Sequence, residues 1–339
     1  MTPRRPPYDA VLVVSFGGPE GPDDVMPFLR NVTRGRGVPD DRLAEVAEQY
    51  LRFGGVSPLP EHDRRLVEAI RTDLAANDVD LPVYLGNRNW DPLLADTVAR
   101  MRDDGIERAL AFVTSAYSSY SGCRQYREDI EAARFAVGPG APEIQKVRAF
   151  HNHPGFVEPF VDGVRAALDR RPDARLVFTA HSVPTSMAET SDYVEQLRDT
   201  AGLVADGVGR DTWDLVWQSR SGPPSVPWLE PDVGDHLQAC ADDGVTEVVL
   251  VPIGFVADHQ EVRFDLDTQA AEIAAEAGIA LERVPTPGLD ARYVAMVREL
   301  VLERLRAGPR RSLGDLGPRQ DVCGVGCCPA PRRRPSRAE

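Results

Sequence analysis

ARLVFTAHSVP, residues 174–184, decides the reading of the fold. An apolar run, broken only by Thr179, ends abruptly at His181, and Pro184 closes the segment. A continuous apolar run of this length fits a strand covered on both faces, as in a parallel sheet. Working outward, AVLVVSFGGP at 10–19 has the same shape, and aligning Pro19 with Pro184 sets Phe16 opposite His181. Further strand-length runs lie at 82–86, 109–115, 215–218 and 247–253. They alternate with segments of helical period that begin near residue 23 and recur at 91–103, 155–168, 189–205, 231–242, 264–277 and 291–306. Such alternation predicts an α/β fold with mostly parallel sheets.

A second internal likeness supports two related halves. Asp103-Asp104-Gly105-Ile106 leads into one strand run, and Asp242-Asp243-Gly244-Val245 leads into another. Two Rossmann-like halves, 1–150 and 151–307, would face each other across a cleft lined by strand C-termini, where open α/β sheets bind ligands. Chance likeness between short α/β strands is the alternative. From 308 to 339 the chain turns rich in Pro, Gly and Arg. Such a tail builds no core of its own and is ordered only by docking or by a metal.

The 339 residues are 42% hydrophobic, enough for a large core, and the net charge of −14 argues against general nucleic-acid binding. Lys146 is the only lysine among 39 basic residues, which reads as the codon bias of a GC-rich genome. The longest apolar stretch, 248–257, contains Pro252 and Gly254 and is too short to span a bilayer. The N-terminus lacks the apolar core of a signal peptide, so a cytoplasmic location is expected.

Four segments carry the candidate chemistry. At 179–184 a buried strand presents His181, a residue suited to proton transfer or metal ligation, although one strand-end histidine can equally be structural. At 252–261 another strand runs into Asp258, His259 and Glu261, with Asp265 and Asp267 beyond. These acids could pass a divalent cation inward, cap a helix N-terminus, or do both. The stretch from Tyr117 to Tyr126 supplies hydroxyls, aromatic rings and the thiol of Cys123. The loops at 33–36 and 54–58 are places where ligand contacts concentrate.

Taken together, these segments resemble the ferrochelatase family. FTAHSVP at 178–184 and PIGFVADHQEVRFDLD at 252–267 are the strongest matches. SFGGPEGPDDVMPFL at 15–29, GGVSPL at 54–59 and WQSRSGPPSVPWLEPDV at 217–233 support them, in matching order over about 11–305. The resemblance implies two Rossmann-like halves around a porphyrin cleft, with His181 and Glu261 as catalytic residues that meet the substrate Fe2+. It implies porphyrin contacts at Ser57, Tyr126 and Phe16. Phe16 falls where some relatives carry a tyrosine facing the metal from the other side, and phenylalanine cannot ligate iron. A free-base porphyrin must lose two pyrrole protons before iron enters its plane, which explains a histidine facing a carboxylate. The loop Gly17-Gly18-Pro19 carries no full dinucleotide fingerprint, so no nucleotide is expected.

The likeness is closest to the coproporphyrin III ferrochelatases of GC-rich Gram-positive bacteria. It implies insertion of ferrous iron into coproporphyrin III, giving Fe-coproporphyrin III (coprohaem) in haem biosynthesis. A downstream enzyme of the haem pathway is the expected protein partner. A protoporphyrin IX ferrochelatase and a non-catalytic porphyrin carrier are the alternatives. A cobalt chelatase of the same fold typically places a second histidine where Glu261 stands. Arg34, Arg36, Arg52, Arg124 and Arg127 lie in or beside the cleft loops and are expected to include propionate partners.

The cysteines add a second expectation. Three of the five, Cys323, Cys327 and Cys328, crowd into the tail, and a four-thiolate site needs one more. Cys240 reads as a buried small hydrophobe on a helix, whereas Cys123 sits in a polar segment beside the cleft. Some ferrochelatases with extended C-termini hold a [2Fe–2S] cluster through one internal cysteine in this segment and three in the tail. Resemblance therefore implies Cys123, Cys323, Cys327 and Cys328 as its ligands. Tetrathiolate zinc and free thiols on a disordered tail remain the alternatives.

Overall fold

The computed structural model describes residues 7–35 and 37–331. Arg36 and the end of the tail, 332–339, lie outside the described residues.

The chain runs β1 (Ala10–Ser15), α1 (Val25–Val32), α2 (Asp40–Leu51), α3 (Leu59–Ala76), β2 (Val83–Asn87), α4 (Leu94–Asp103), β3 (Arg108–Val113), α5 (Gln125–Val137) and β4 (Glu143–Lys146). It continues through α6 (Pro154–Arg170), β5 (Arg175–His181), α7 (Thr185–Ala188), α8 (Tyr193–Gly207), β6 (Asp214–Gln218) and α9 (Val233–Asp242). The last elements are β7 (Glu247–Val251), α10 (Ala271–Glu276), β8 (Ala280–Arg283) and α11 (Ala291–Arg306). Among the described residues these strands form two four-stranded parallel sheets, ordered β2-β1-β3-β4 and β6-β5-β7-β8. Each half therefore repeats one topology, with β1 and β5 in equivalent places. The likeness of 10–19 to 174–184 has a structural counterpart.

The central strands are closed to solvent on both faces, which is why their sequences are apolar throughout rather than alternating. One core joins the halves. Val11, Phe112, Phe156, Phe178 and Val297 belong to it, and α11 packs against both α6 and α3. On α3 the stripe Leu66, Val67, Ile70 and Leu74 faces that core at helical spacing. Separate apolar layers cover the outer sheet faces, and a small cluster of Val25, Phe28, Leu29, Leu43 and Ala47 joins α1 to α2.

Three differences from the sequence reading have physical causes. Edge strands β4 and β8 are short and largely polar or half-exposed, so they carry no apolar run. Helices α2, α3 and α5 occupy stretches assigned no element. The helix expected at 264–277 begins as a π-helical segment, Val262–Ala270, before continuing as α10. The tail is docked by polar contacts made independently of its cysteines. Arg148 forms a fully buried bidentate pair with Glu303 (2.8 and 2.9 Å) and also donates to the Arg311 carbonyl at 2.7 Å. Leu313 N donates to Asn152 O at 2.8 Å, and Asn152 Nδ2 to Gly317 O at 2.9 Å. Among the described residues no helix is long and apolar enough to cross a membrane.

Candidate active site

His181 is the last residue of β5, and Glu261 lies on the first helical turn after β7. Strands β5 and β7 are hydrogen-bonded neighbours, so a single sheet edge delivers both. His181 Nε2 lies 3.8 Å from Glu261 Oε2, with both side chains partly exposed. His181 Nδ1 faces the Ser182 carbonyl. A carbonyl only accepts, so Nδ1 carries the hydrogen, and in the neutral ring the lone pair sits on Nε2. The strand end is tied down as well: Tyr193 Oη donates to His181 O at 2.9 Å, and Ser182 N donates to Gln218 O at 2.7 Å.

The Glu261 loop is seated by Gly254, whose N donates to Thr179 O at 3.1 Å. A Cβ on Gly254 would stand 2.6 Å from both Ala180 Cα and Ala180 Cβ. Only glycine lets this loop close on the strand that carries His181. Asp258 is engaged by Arg283 (3.0 Å) and Thr286 N (3.3 Å), and so braces the loop. His259 stacks edge-on against Phe255, and its Nδ1 accepts from Glu261 N at 3.2 Å. Burial holds its pKa below the ordinary value. Asp265 receives hydrogen bonds from Ser219 and Gln218, yet burial pushes its pKa up to about 6, and Glu261 adds to the rise. Glu261 and Asp265 thus stand in sequence as carboxylates on a helix leading away from His181.

The first half contributes the facing loops. Phe16 packs edge-on against Phe28, and Arg88 lies over both the Phe16 ring (5.8 Å) and the Tyr126 ring (4.5 Å). Asp129 fixes Arg88 in place. Tyr126 is buried and backs Arg88. Ser57 is buried too, accepting from Leu59 N at 3.3 Å, and its N donates to Pro19 O at 2.8 Å. A Cβ on Gly18 would meet Ser57 Cβ at 2.6 Å, so the loops at 16–19 and 54–58 close against each other. Tyr50 of α2 is half-buried, and its pKa is raised by burial and by Glu261. Beside it, Leu51, Phe53 and Val56 expose apolar surface.

Arg88 and Tyr50 did not stand out in the sequence. The one available signal for Arg88 was its position just after a strand, where parallel sheets bind ligands. Of the expected propionate partners, Arg34 bonds to Asn31, and Arg124 is committed to Glu128 and to the carbonyls of Val325 and Cys327, each at 3.1 Å. Arg52 is exposed and Arg127 half-buried.

Those bonds bring the tail cysteines to Cys123. The Cys123 thiol pairs with Cys323, Cys323 neighbours Cys327, and Cys327 neighbours Cys328. The Cys323 pairing, with burial next, pushes the Cys123 pKa up. Burial raises Cys328 to about 12, while the Cys123 hydrogen bond lowers Cys323. The four cysteines are thus neighbours in succession, and thiolates are the donors an iron–sulfur cluster takes. As they stand, no three His, Cys, Asp or Glu side chains among the described residues close into a metal-ion geometry. Cys240 is elsewhere, on the buried face of α9 with His236 Nε2 at 3.5 Å.

Residues 8–305 match the family model described as Ferrochelatase. The coproporphyrin III ferrochelatase of Streptomyces griseus is 52% identical, over 98% of this chain and 96% of its own. That of Frankia alni is 54% identical, over 100% and 91%. A ferrochelatase of Rhodopirellula baltica is 53% identical, over 97% and 96%. Among solved structures, SirB from Bacillus subtilis with Fe3+ matches with a TM-score of 0.55 and 12% identity, over 87% of this chain and 96% of that one, a likeness of fold.

Proposed function

The chain belongs to the ferrochelatase family and inserts ferrous iron into a porphyrin; we propose that the porphyrin is coproporphyrin III and that His181 and Glu261 carry the reaction. The observation that carries the site is the Nε2 lone pair of His181 facing the Glu261 carboxylate at 3.8 Å. Insertion exchanges Fe2+ for two pyrrole protons. His181 Nε2 accepts one proton, and its Nδ1–H stays on the Ser182 carbonyl, which steadies the imidazolium that forms. Glu261 neutralises that cation and takes the second proton or hands it to Asp265, whose raised pKa suits brief proton storage. Phe16 offers no ligand on the other side, so it shapes the wall and Arg88 stiffens it. Substrate choice is supported by the relatives named coproporphyrin III ferrochelatase. Coproporphyrin carries four propionates, and the exposed Arg34 and Arg52, in or beside the loops at 33–36 and 54–58, would be the arginines to meet them. The test is anaerobic iron insertion with coproporphyrin III and protoporphyrin IX at equal concentrations. Coproporphyrin III should turn over faster, and a clear preference for protoporphyrin IX would overturn the assignment.

Cys123, Cys323, Cys327 and Cys328 would hold a [2Fe–2S] cluster. Bound there, such a cluster supplies a four-thiolate tie and a one-electron redox centre. The reading is supported by Arg124, which donates to the carbonyls of Val325 and Cys327 and so ties the tail near Cys123. Protein purified without oxygen should carry about two irons and two sulfides per chain. Colourless protein with stoichiometric zinc would overturn the cluster.

A further inference from the structure

Asp63 lies on α3, in a run of charged residues, EHDRR, that reads as a solvated helix face. It is fully buried instead, and neither carboxyl oxygen receives a hydrogen bond of good geometry. A buried carboxylate with no donors bears the full cost of desolvation, whereas a neutral carboxylic acid has a proton to give and needs far less.

Its surroundings are hydroxyls. Ser15, the last residue of β1, is close enough to bond to it. Thr114 Oγ1 donates to Ser15 Oγ at 3.2 Å, which leaves Ser15 with one hydrogen to give and a lone pair to receive. From α11 comes Tyr293, whose buried hydroxyl also lacks a partner and lies within electrostatic reach. From α5 comes Tyr126, itself tied to Arg88. On its own helix, His62 neighbours it in sequence, and Arg64 turns outward to Glu20 and Glu61. The full positive charge nearest in sequence is thus already paired in solvent. Burial raises the Asp63 pKa to about 7, outweighing the Ser15 hydroxyl and the Arg64 charge, which both pull it down.

Ser15 matters because Phe16 follows it. Ser15 O accepts Arg88 N at 3.1 Å, and Phe16 O accepts Asn89 N at 3.2 Å and Asn89 Nδ2 at 3.1 Å. Whatever holds Ser15 holds the Phe16 wall and the Arg88 loop together. We propose that Asp63 works as a neutral carboxylic acid that positions Phe16, and with it one wall of the porphyrin cleft, through a hydrogen bond with the Ser15 hydroxyl. This rests on reading the Phe16 loop as part of the porphyrin site. Ionising Asp63 removes the donated proton and places a charge in a dry core, so the wall loosens as pH rises through neutrality.

Asp63→Asn separates this from a merely structural role, because the amide keeps a donor and an acceptor but does not titrate. The first readout is Tm against pH without porphyrin. Native Asp63 keeps its proton to about pH 7, while the unfolded chain releases it near the ordinary carboxylate value of 3.8. The stability that Asp63 contributes is therefore present at low pH and lost as pH rises through that window. Asp63→Asn should gain on the wild type progressively over this window, then hold a constant lead. The second readout is KM for porphyrin, which should rise several-fold above pH 7 in the wild type and stay flat in Asp63→Asn. Parallel Tm curves would overturn the neutral acid, and that arm is read without substrate, so its failure is distinct from failure of the functional reading. A KM raised at every pH in Asp63→Asn would mean that the ionised form is the working one. A KM flat in both proteins would remove the positioning role.

Discussion

His181 Nε2 and Glu261 Oε2 stand 3.8 Å apart although the two residues belong to separate strand-and-loop units, one ending β5 and the other following β7. The pairing of β5 with β7 sets that distance, with Phe178 opposite Val251 as the last matched pair before the strands part. A base and a carboxylate held by the backbone keep their geometry without substrate.

Removing either group should abolish turnover and leave the fold intact, because both side chains are partly exposed and neither fills the core. His181→Ala should lose at least ~100-fold in the rate of iron insertion. Glu261→Gln should lose nearly as much, keeping size but not charge. Porphyrin binding, followed by fluorescence, should persist in both variants. Near wild-type turnover of His181→Ala would remove it from the mechanism.

Gly254→Ala tests the seating of the Glu261 loop without touching a polar group. The added methyl would stand 2.6 Å from the Ala180 backbone, so loop and strand must part. Overpacking of this kind costs about 1–3 kcal/mol. Since His181 follows Ala180, the rate should fall by more than the loss of stability explains. A variant with lowered Tm and full kcat would show that the His181–Glu261 distance tolerates the shift.

The sequence made the six strands with apolar runs legible, and with them this pair, because the runs stop sharply at His181 and before the Asp258–Glu261 cluster. Other features left no such mark. Arg88 looks like an ordinary loop arginine until α5 brings Tyr126 and Asp129 over it. Asp63 looks solvated because EHDRR is charged throughout, yet β1, α5 and α11 close over this face of α3 and bury it. The π-helical segment at Val262–Ala270 shifts each backbone bond by one residue, which periodicity over two turns does not resolve. The tail anchors, Asn152 and Arg148, act through backbone carbonyls, and such bonds have no side-chain pattern at the receiving end.

Arg148→Met should be among the most destabilising single changes outside the site. It strands Glu303 without its partner in a dry core, a loss of about 3–5 kcal/mol. It also frees the Arg311 carbonyl, the first anchor of the tail. Replacing both partners, Arg148→Met with Glu303→Leu, should recover most of the stability, because the desolvated charge goes too. Thermal or urea unfolding of the two variants measures this, and equal losses in both would mean that the tail contact, not the ion pair, is what counts.

Cys123→Ser should unfasten only the end of the tail. Residues 308–321 hold to the body through Asn152, Arg148, the Arg311–Glu299 pair at 2.9 Å and the Arg319–Asp192 pair, none of which involves a thiol. Beyond Asp321 the ties are the two carbonyls held by Arg124 and the thiols themselves. If a cluster joins Cys123 to the three tail cysteines, Cys123→Ser should purify without its colour. Hydrogen exchange should then rise in 322–330 and stay slow in 308–321. Cys240→Ser is the control, since that thiol sits on the buried face of α9 against His236 and should leave both colour and exchange unchanged. Retention of the cluster in Cys123→Ser would put the fourth ligand elsewhere. Uniform loosening from residue 308 onward would mean that the cluster, rather than the arginine and asparagine contacts, docks the whole tail.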